Sequence, residues 1–129
     1  MLFHHFGLAT NNREKSETFL IKSGYKKKSS YIEKRQKVSL SFFVSKGKPT
    51  IEVITPISKK SPINSYLNKF DAIFYHICFR IKKKINVKNF CITHNAICVV
   101  KPYLSTVFKK KKISFFYIKY IGLVEIISD

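Results

Sequence analysis

Phe74-Tyr75-His76-Ile77-Cys78 places one histidine at the centre of an apolar segment that is typical of a buried strand. Leu123-Val124-Glu125-Ile126-Ile127, near the end of the chain, does the same with a glutamate. The first half of the chain repeats the arrangement, with His5 in its first apolar segment and Glu52 in its last. Burying such side chains without a partner costs on the order of several kcal/mol. These four residues are therefore the candidates for a functional site.

The spacing of the four residues indicates an internal duplication. The histidine and the glutamate lie 47 residues apart in the first half (52 − 5) and 49 apart in the second (125 − 76). The histidine of the second half follows that of the first by 71 residues (76 − 5), and the glutamate of the second half follows that of the first by 73 (125 − 52). We interpret the chain as two repeats of about 65 residues, each of which contributes one His–Glu pair.

Each half shows four strands and one short helix in the order βαβββ, which predicts an α+β fold. Ser61 and Pro62 resemble a helix cap and a first-turn proline, so we expect a linker helix between the halves. One domain over residues 1–129 is expected, with module one at about 1–60, the linker helix at about 61–69 and module two at about 70–129. The predicted strands are residues 2–10, 25–33, 38–44, 50–55, 73–81, 96–100, 112–118 and 122–127, and the predicted helices are 13–23, 61–68 and 86–93.

Composition excludes several classes of protein. The chain has 129 residues, of which 45% are hydrophobic, too many for a disordered chain. Lysines interrupt every apolar run before the roughly 18–20 residues of a membrane span, and the N-terminus lacks the pattern of a secretory signal. The three cysteines are odd in number and have no CxxC spacing, which predicts reduced thiols in the cytoplasm and argues against a zinc finger.

Lysine and arginine exceed the acids by 25 to 7, which gives a formal net charge of +18. A surface of this charge attracts polyanions, but no nucleic-acid recognition motif is present. We therefore expect a solvated basic surface with only non-specific nucleic-acid binding. If lysines recruit a phosphorylated carrier, residues 109–112 are a better candidate than residues 26–28, because they precede the strand that leads to Glu125.

The four polar residues suit a metal site. A His–Glu pair from each half could converge on one point across a pseudo-twofold sheet. Two imidazoles and two carboxylates match a divalent transition metal, and an octahedral ion would keep two positions open for substrate. Ligation would also remove the burial cost of Glu52 and Glu125.

The strand motifs resemble the vicinal-oxygen-chelate superfamily, and within it the proteins similar to glyoxalase I and methylmalonyl-CoA epimerase. The resemblance covers essentially the whole chain. It rests on His5-Phe6-Gly7-Leu8-Ala9, Ile51-Glu52-Val53-Ile54-Thr55-Pro56, Ser61-Pro62-Ile63-Asn64, Tyr75-His76-Ile77-Cys78-Phe79 and Gly122-Leu123-Val124-Glu125-Ile126.

The resemblance implies two βαβββ modules in a cupped, pseudo-twofold mixed β-sheet, usually in a dimer. It makes His5, Glu52, His76 and Glu125 the ligands of a divalent ion such as Ni, Co, Mn or Zn. Glu125 would then also remove a proton next to the chelated carbonyl of a small substrate, carried on coenzyme A or glutathione. The implied activity is that of a lyase, isomerase or epimerase.

Two other functions stay open. Residues 38–44 contain no acid, whereas some epimerases use a further carboxylate there, so a non-catalytic metabolite- or drug-binding protein of the same fold is the alternative. A polyanion-binding protein rests on charge alone. Among the remaining side chains, His4 is expected on the strand face opposite His5, His94 in a turn without a role, and Arg80 and Cys78 on the face of His76.

Overall fold

A computed structural model describes residues 1–129, and its secondary structure follows the predicted order. Its elements are β1 (Leu2–Thr10), α1 (Arg13–Lys22), β2 (Lys26–Glu33), β3 (Val38–Val44), β4 (Ile51–Pro56), α2 (Asn64–Leu67), β5 (Ala72–Arg80), α3 (Val87–His94), β6 (Ala96–Leu104), β7 (Lys112–Ile118) and β8 (Gly122–Ser128). The prediction of an α+β fold built from two tandem βαβββ modules is confirmed. None of the three helices is long and apolar enough to cross a membrane.

The chain forms two compact units. The N-terminal unit is His5–Tyr75, and the C-terminal unit is His76–Asp129 together with Met1–His4. Strands of the N-terminal unit lie in the order β2-β3-β4-β1, and those of the C-terminal unit in the order β5-β8-β7-β6. In both units the first and last strands of the module are parallel, and the remaining neighbours are antiparallel.

The main helix of each unit begins with the same local device, an asparagine cap. Asn12 accepts a hydrogen bond from the Lys15 amide at 3.0 Å at the start of α1, and Asn86 accepts one from the Asn89 amide at 3.0 Å at the start of α3. These caps satisfy amides that have no partner within the helix. After α3, Asn95 takes a left-handed φ of 47°, which an asparagine tolerates better than most residues.

Each helix buries one large side chain on one face of its own sheet. In the N-terminal unit, Leu20 of α1 packs with Phe43, Ile51 and Val53. In the C-terminal unit, Phe90 of α3 packs in a cluster that contains Phe116, Val124 and Ile126. Because side chains alternate along a strand, the residues next to these in sequence point to the opposite face.

Three local predictions are wrong. His94, expected in a turn, is the last residue of helix α3. Ser61 does not cap a helix, because its hydroxyl donates to the Gln36 carbonyl at 2.9 Å and α2 covers only Asn64–Leu67. Strand β6 runs four residues past the predicted end, from residue 100 to Leu104. It continues through Pro102 because β6 lies at the edge of its unit's sheet, where a missing amide costs no ladder hydrogen bond.

Candidate metal centre

Two of the four candidate residues predicted from the sequence, His5 and Glu52, lie side by side in the N-terminal unit. His5 lies on β1 and Glu52 on β4, and their Nε2 and Oε2 atoms are 3.3 Å apart. His5 is completely buried, and Glu52 is 5% exposed. A buried carboxylate needs a close polar or charged partner to offset its lost hydration, and the imidazole of His5 provides one.

The C-terminal unit contains an equivalent pair. His76 on β5 and Glu125 on β8 place Nε2 and Oε2 at 3.2 Å, and both residues are buried. All four polar residues therefore lie buried in strands, as the apolar pattern around them predicts.

The two pairs occupy the same register. Glu52 lies opposite Gly7 in the parallel β1–β4 ladder, and Glu125 lies opposite Cys78 in the parallel β5–β8 ladder. Each of these opposing residues stands two positions after the histidine of its unit. Since side chains two residues apart share a strand face, each histidine and glutamate are diagonal neighbours on one face.

A phenylalanine lies beside each His–Glu pair, and neither phenylalanine was predicted from the sequence. Phe42 lies opposite Glu52 across β3 and β4, and Phe115 lies opposite Glu125 across β7 and β8. The ring of Phe42 meets the His5 imidazole edge-on, with centroids 5.4 Å apart, and Phe115 meets the His76 imidazole at 5.8 Å. One signal was present in the sequence, because the two phenylalanines are 73 residues apart, the same offset as the two glutamates.

Comparison with known proteins decides the family. The sequence model of the glyoxalase/bleomycin resistance protein/dioxygenase superfamily matches residues 4–97, most of the chain. The chain belongs to this superfamily. The resemblance to the vicinal-oxygen-chelate proteins is thereby confirmed. A search of curated proteins finds no match.

Solved structures of this superfamily's fold align along nearly the whole chain. Methylmalonyl-CoA epimerase from Mycobacterium tuberculosis is 16% identical with a TM-score of 0.79, over 98% of this chain and 86% of that one. The hypothetical protein BH1468 from Bacillus halodurans C-125 is 20% identical with a TM-score of 0.80, over 98% and 93%. A variant of Streptomyces coelicolor methylmalonyl-CoA epimerase, in complex with 2-nitronate-propionyl-CoA, is 16% identical with a TM-score of 0.78, over 100% and 97%. These likenesses show a shared fold.

The donor atoms of both pairs fit a divalent metal of the kind that superfamily members often hold. Each pair offers an imidazole nitrogen and a carboxylate oxygen within hydrogen-bonding distance of each other. Imidazole and carboxylate together are ligands that Mn, Co, Ni and Zn accept. A cation held by such a pair would also compensate the charge of a carboxylate that lies away from water.

The remaining candidate side chains, namely His4, His94, Cys78 and Arg80, make structural contacts or face solvent. The His4 ring meets Phe108 at a centroid distance of 5.3 Å, and His94 packs on Phe90 at 4.4 Å. Cys78 is fully buried in an apolar cluster that includes Phe115. Arg80 is exposed at the last residue of β5.

The lysine run before β7 lies in an anchored loop. The Ser105 amide donates to the Lys111 carbonyl at 2.8 Å, and the Ser105 hydroxyl accepts hydrogen bonds from the Val107 and Phe108 amides. Lys111 forms an ion pair with Asp129. Lys109 and Lys110 are exposed, so they are the members of the run that face solvent.

Proposed function

We propose that the His–Glu pairs of the two units hold one divalent metal ion together and that the protein is a metal-dependent isomerase or lyase. The supporting observation is the repeated His–Glu–Phe arrangement: His5, Glu52 and Phe42 in one unit, and His76, Glu125 and Phe115 in the other, in the same register. Membership of the superfamily supports the same proposal.

The ligands would be the Nε2 atoms of His5 and His76 and the carboxylates of Glu52 and Glu125. An ion of Ni, Co, Mn or Zn at this position supplies Lewis-acid polarisation of a substrate carbonyl, which makes the adjacent C–H bond more acidic.

Glu125 is the proposed base in this reaction. Its carboxylate oxygen takes the proton as the C–H bond breaks and returns it to carbon in the product, so that no net proton is consumed. Phe115, opposite Glu125, keeps water from the carboxylate and restricts the His76 imidazole by its edge-on contact.

One feature favours a second candidate, a binding protein without catalysis. On the strand opposite Glu52, the side chains that share the face of Phe42 are apolar and buried, namely Val38, Leu40 and Phe42. No second carboxylate is therefore supplied by β3, which argues against an epimerase that uses two bases and favours a protein that binds its ligand without catalysis.

The proposed substrate is a small carbonyl compound carried on coenzyme A or glutathione. The structural neighbours include methylmalonyl-CoA epimerases, one of them in complex with a coenzyme A derivative. We further propose that the protein works as a homodimer in the cytoplasm. Its cysteines, Cys78, Cys91 and Cys98, form no disulfide, which is compatible with a reducing compartment.

Proton abstraction can be tested by isotope exchange. Protein stripped with EDTA and reloaded with Ni, Co, Mn or Zn is incubated in D₂O with methylmalonyl-CoA or with the hemithioacetal of methylglyoxal and glutathione. Isomerised or deuterium-labelled product is expected with at least one metal. Glu125→Gln should reduce its rate by about 10²–10⁴-fold, the usual contribution of a general base.

Glu14→Gln is the matched control, because it makes the same change at an exposed position of α1. It should leave the rate unchanged. Reaction at the same rate in Glu125→Gln would refute the role of Glu125. Metal and acyl-CoA binding without any exchange or isomerisation would replace the enzyme by the binding protein.

A further inference from the structure

A second candidate site lies in the C-terminal unit, on the helix side of its sheet. A cavity of about 500 Å³ opens beside α3, within the size range of small-molecule sites. Its floor is apolar and includes Ile85 and Phe90, whereas Lys83, Lys84 and His94 lie at its rim. No acidic side chain lines this α3 cavity.

The α3 cavity lies on the opposite face of the sheet from Glu125. Phe90 packs with Val124 and Ile126, the two neighbours of Glu125 in β8. Since successive side chains of a strand point to opposite faces, Glu125 faces away from Phe90. The α3 cavity is therefore separate from the candidate metal ligands.

The C-terminal unit, which contains the α3 cavity, carries a large excess of positive charge. The C-terminal unit contains eleven lysines and arginines but only two acids, Glu125 and Asp129. Glu125 is buried beside His76, and Asp129 forms its ion pair with Lys111. Neither carboxylate competes for Lys83 or Lys84, so an anion entering the cavity meets a net positive rim.

The backbone holds the lysine end of the α3 cavity in place. The Ile81 amide donates to the Ile127 carbonyl at 2.9 Å, and the Asp129 amide donates to the Lys83 carbonyl at 3.4 Å. These bonds tie the segment before α3 to the end of β8. The lysine side chains therefore extend from a fixed backbone, which lowers the entropic cost of binding.

The two ends of the α3 cavity have different chemistry. Lys83 and Lys84 provide cations before α3, whereas His94 packs on Phe90 at the other end and provides an aromatic surface. Asn86 and His94 are eight residues apart, which corresponds to about 12 Å along a helix at 1.5 Å per residue. An elongated ligand with an anionic end and a planar end matches this arrangement.

We propose that the α3 cavity binds a nucleoside diphosphate, with the phosphates at Lys83 and Lys84 and the base against His94. Ammonium groups attract phosphate oxygens as point charges, and the faces of nucleobases stack on aromatic side chains. Binding at this site does not require the metal or the activity proposed above.

Isothermal titration calorimetry with ADP, inorganic phosphate and adenosine tests the proposal. EDTA is present throughout, so that no metal can bridge ADP to the protein. We expect ADP to bind at least tenfold more tightly than either fragment, because only ADP occupies both ends of the cavity. An equal affinity for ADP and inorganic phosphate would overturn the proposal.

Variants separate the site from general charge attraction. Lys83→Ser combined with Lys84→Ser should weaken ADP binding at least tenfold. The matched control, Lys59→Ser with Lys60→Ser, removes the same charge at exposed positions of the N-terminal unit and should change the affinity less than twofold. Equal losses in both double variants would show non-specific attraction and refute the site.

His94→Ala tests the aromatic end. It should weaken ADP binding several-fold and leave the binding of inorganic phosphate unchanged, with circular dichroism confirming that the variant is folded. Unchanged ADP binding in folded His94→Ala would contradict the proposed orientation. Because Glu125→Gln alters only the opposite face, ADP binding should persist in that variant whatever its effect on isotope exchange.

Discussion

Two equivalent buried serines provide a sharp test of how the repeats differ. Ser41 on β3 and Ser114 on β7 are both completely buried and are 73 residues apart, the offset that also relates Phe42 to Phe115. The Ser41 hydroxyl accepts a hydrogen bond from the Arg13 guanidinium and lies 2.9 Å from the Ser30 hydroxyl. The Ser114 hydroxyl has no hydrogen-bond partner.

The same substitution should therefore have opposite effects in the two units. Ser41→Ala removes one charged and one neutral hydrogen bond, and we expect it to lower the free energy of unfolding by about 2 kcal/mol. Ser114→Ala removes a hydroxyl that loses its hydration on burial and gains no hydrogen bond in the fold. We expect this change to raise the free energy of unfolding by about 1 kcal/mol. The two variants should differ by about 3 kcal/mol.

Urea denaturation followed by circular dichroism measures this difference. If the slope of the transition stays constant, a shift of the midpoint reports stability alone. Ser41→Ala should move the midpoint to lower urea and Ser114→Ala to higher urea. Two shifts of the same sign and similar size would refute the reasoning, because they would mean that both hydroxyls are equally well bonded.

Two further predictions concern the phenylalanines beside the histidines and the thiol of Cys98. Phe42→Leu and Phe115→Leu should each destabilise the protein by about 1–2 kcal/mol, because each removes an edge-on aromatic contact from an equivalent histidine; thermal denaturation that shows one change to be neutral would contradict the equivalence. Burial raises the pKa of the Cys98 thiol, and neighbouring Cys91 raises it further, which outweighs the opposing effect of Lys101. Alkylation of Cys98 by iodoacetamide, followed by peptide mass spectrometry, should therefore be slower at pH 8 in the folded protein than in protein unfolded in urea. In the folded protein its rate should increase as the pH rises. Equal rates in the folded and the unfolded protein at pH 8 would contradict the raised pKa.

The candidate ligands could be predicted from sequence because they break a strong pattern. His5 and Glu125 interrupt apolar strands, and an interruption of that kind is costly unless the side chain has a partner. Phe42 and Phe115 could not be singled out in the same way, since a phenylalanine in a strand looks like any core residue. Their position beside the histidines follows from strand pairing, which a single sequence does not display.

The same limit explains the errors in local structure. Pro102 breaks the apolar pattern of β6, and only the place of β6 at a sheet edge allows the strand to continue. Ser61 precedes a proline, as a cap often does, but its hydroxyl binds Gln36, 25 residues earlier in the chain. Hydrogen bonds between distant segments decide both cases, whereas the caps of α1 and α3 depend on neighbours in sequence and were predictable.

Metal stoichiometry tests the central claim most directly, namely that two His–Glu pairs make one site. Protein stripped with EDTA is titrated with Mn²⁺ or Ni²⁺, and bound metal is measured by mass spectrometry after removal of the free ion. We expect one ion per chain, and we expect His5→Ala and His76→Ala each to bind it much more weakly, while His94→Ala keeps it. Two ions per chain, or one ion still bound tightly after His5 and His76 are both replaced by alanine, would contradict the claim.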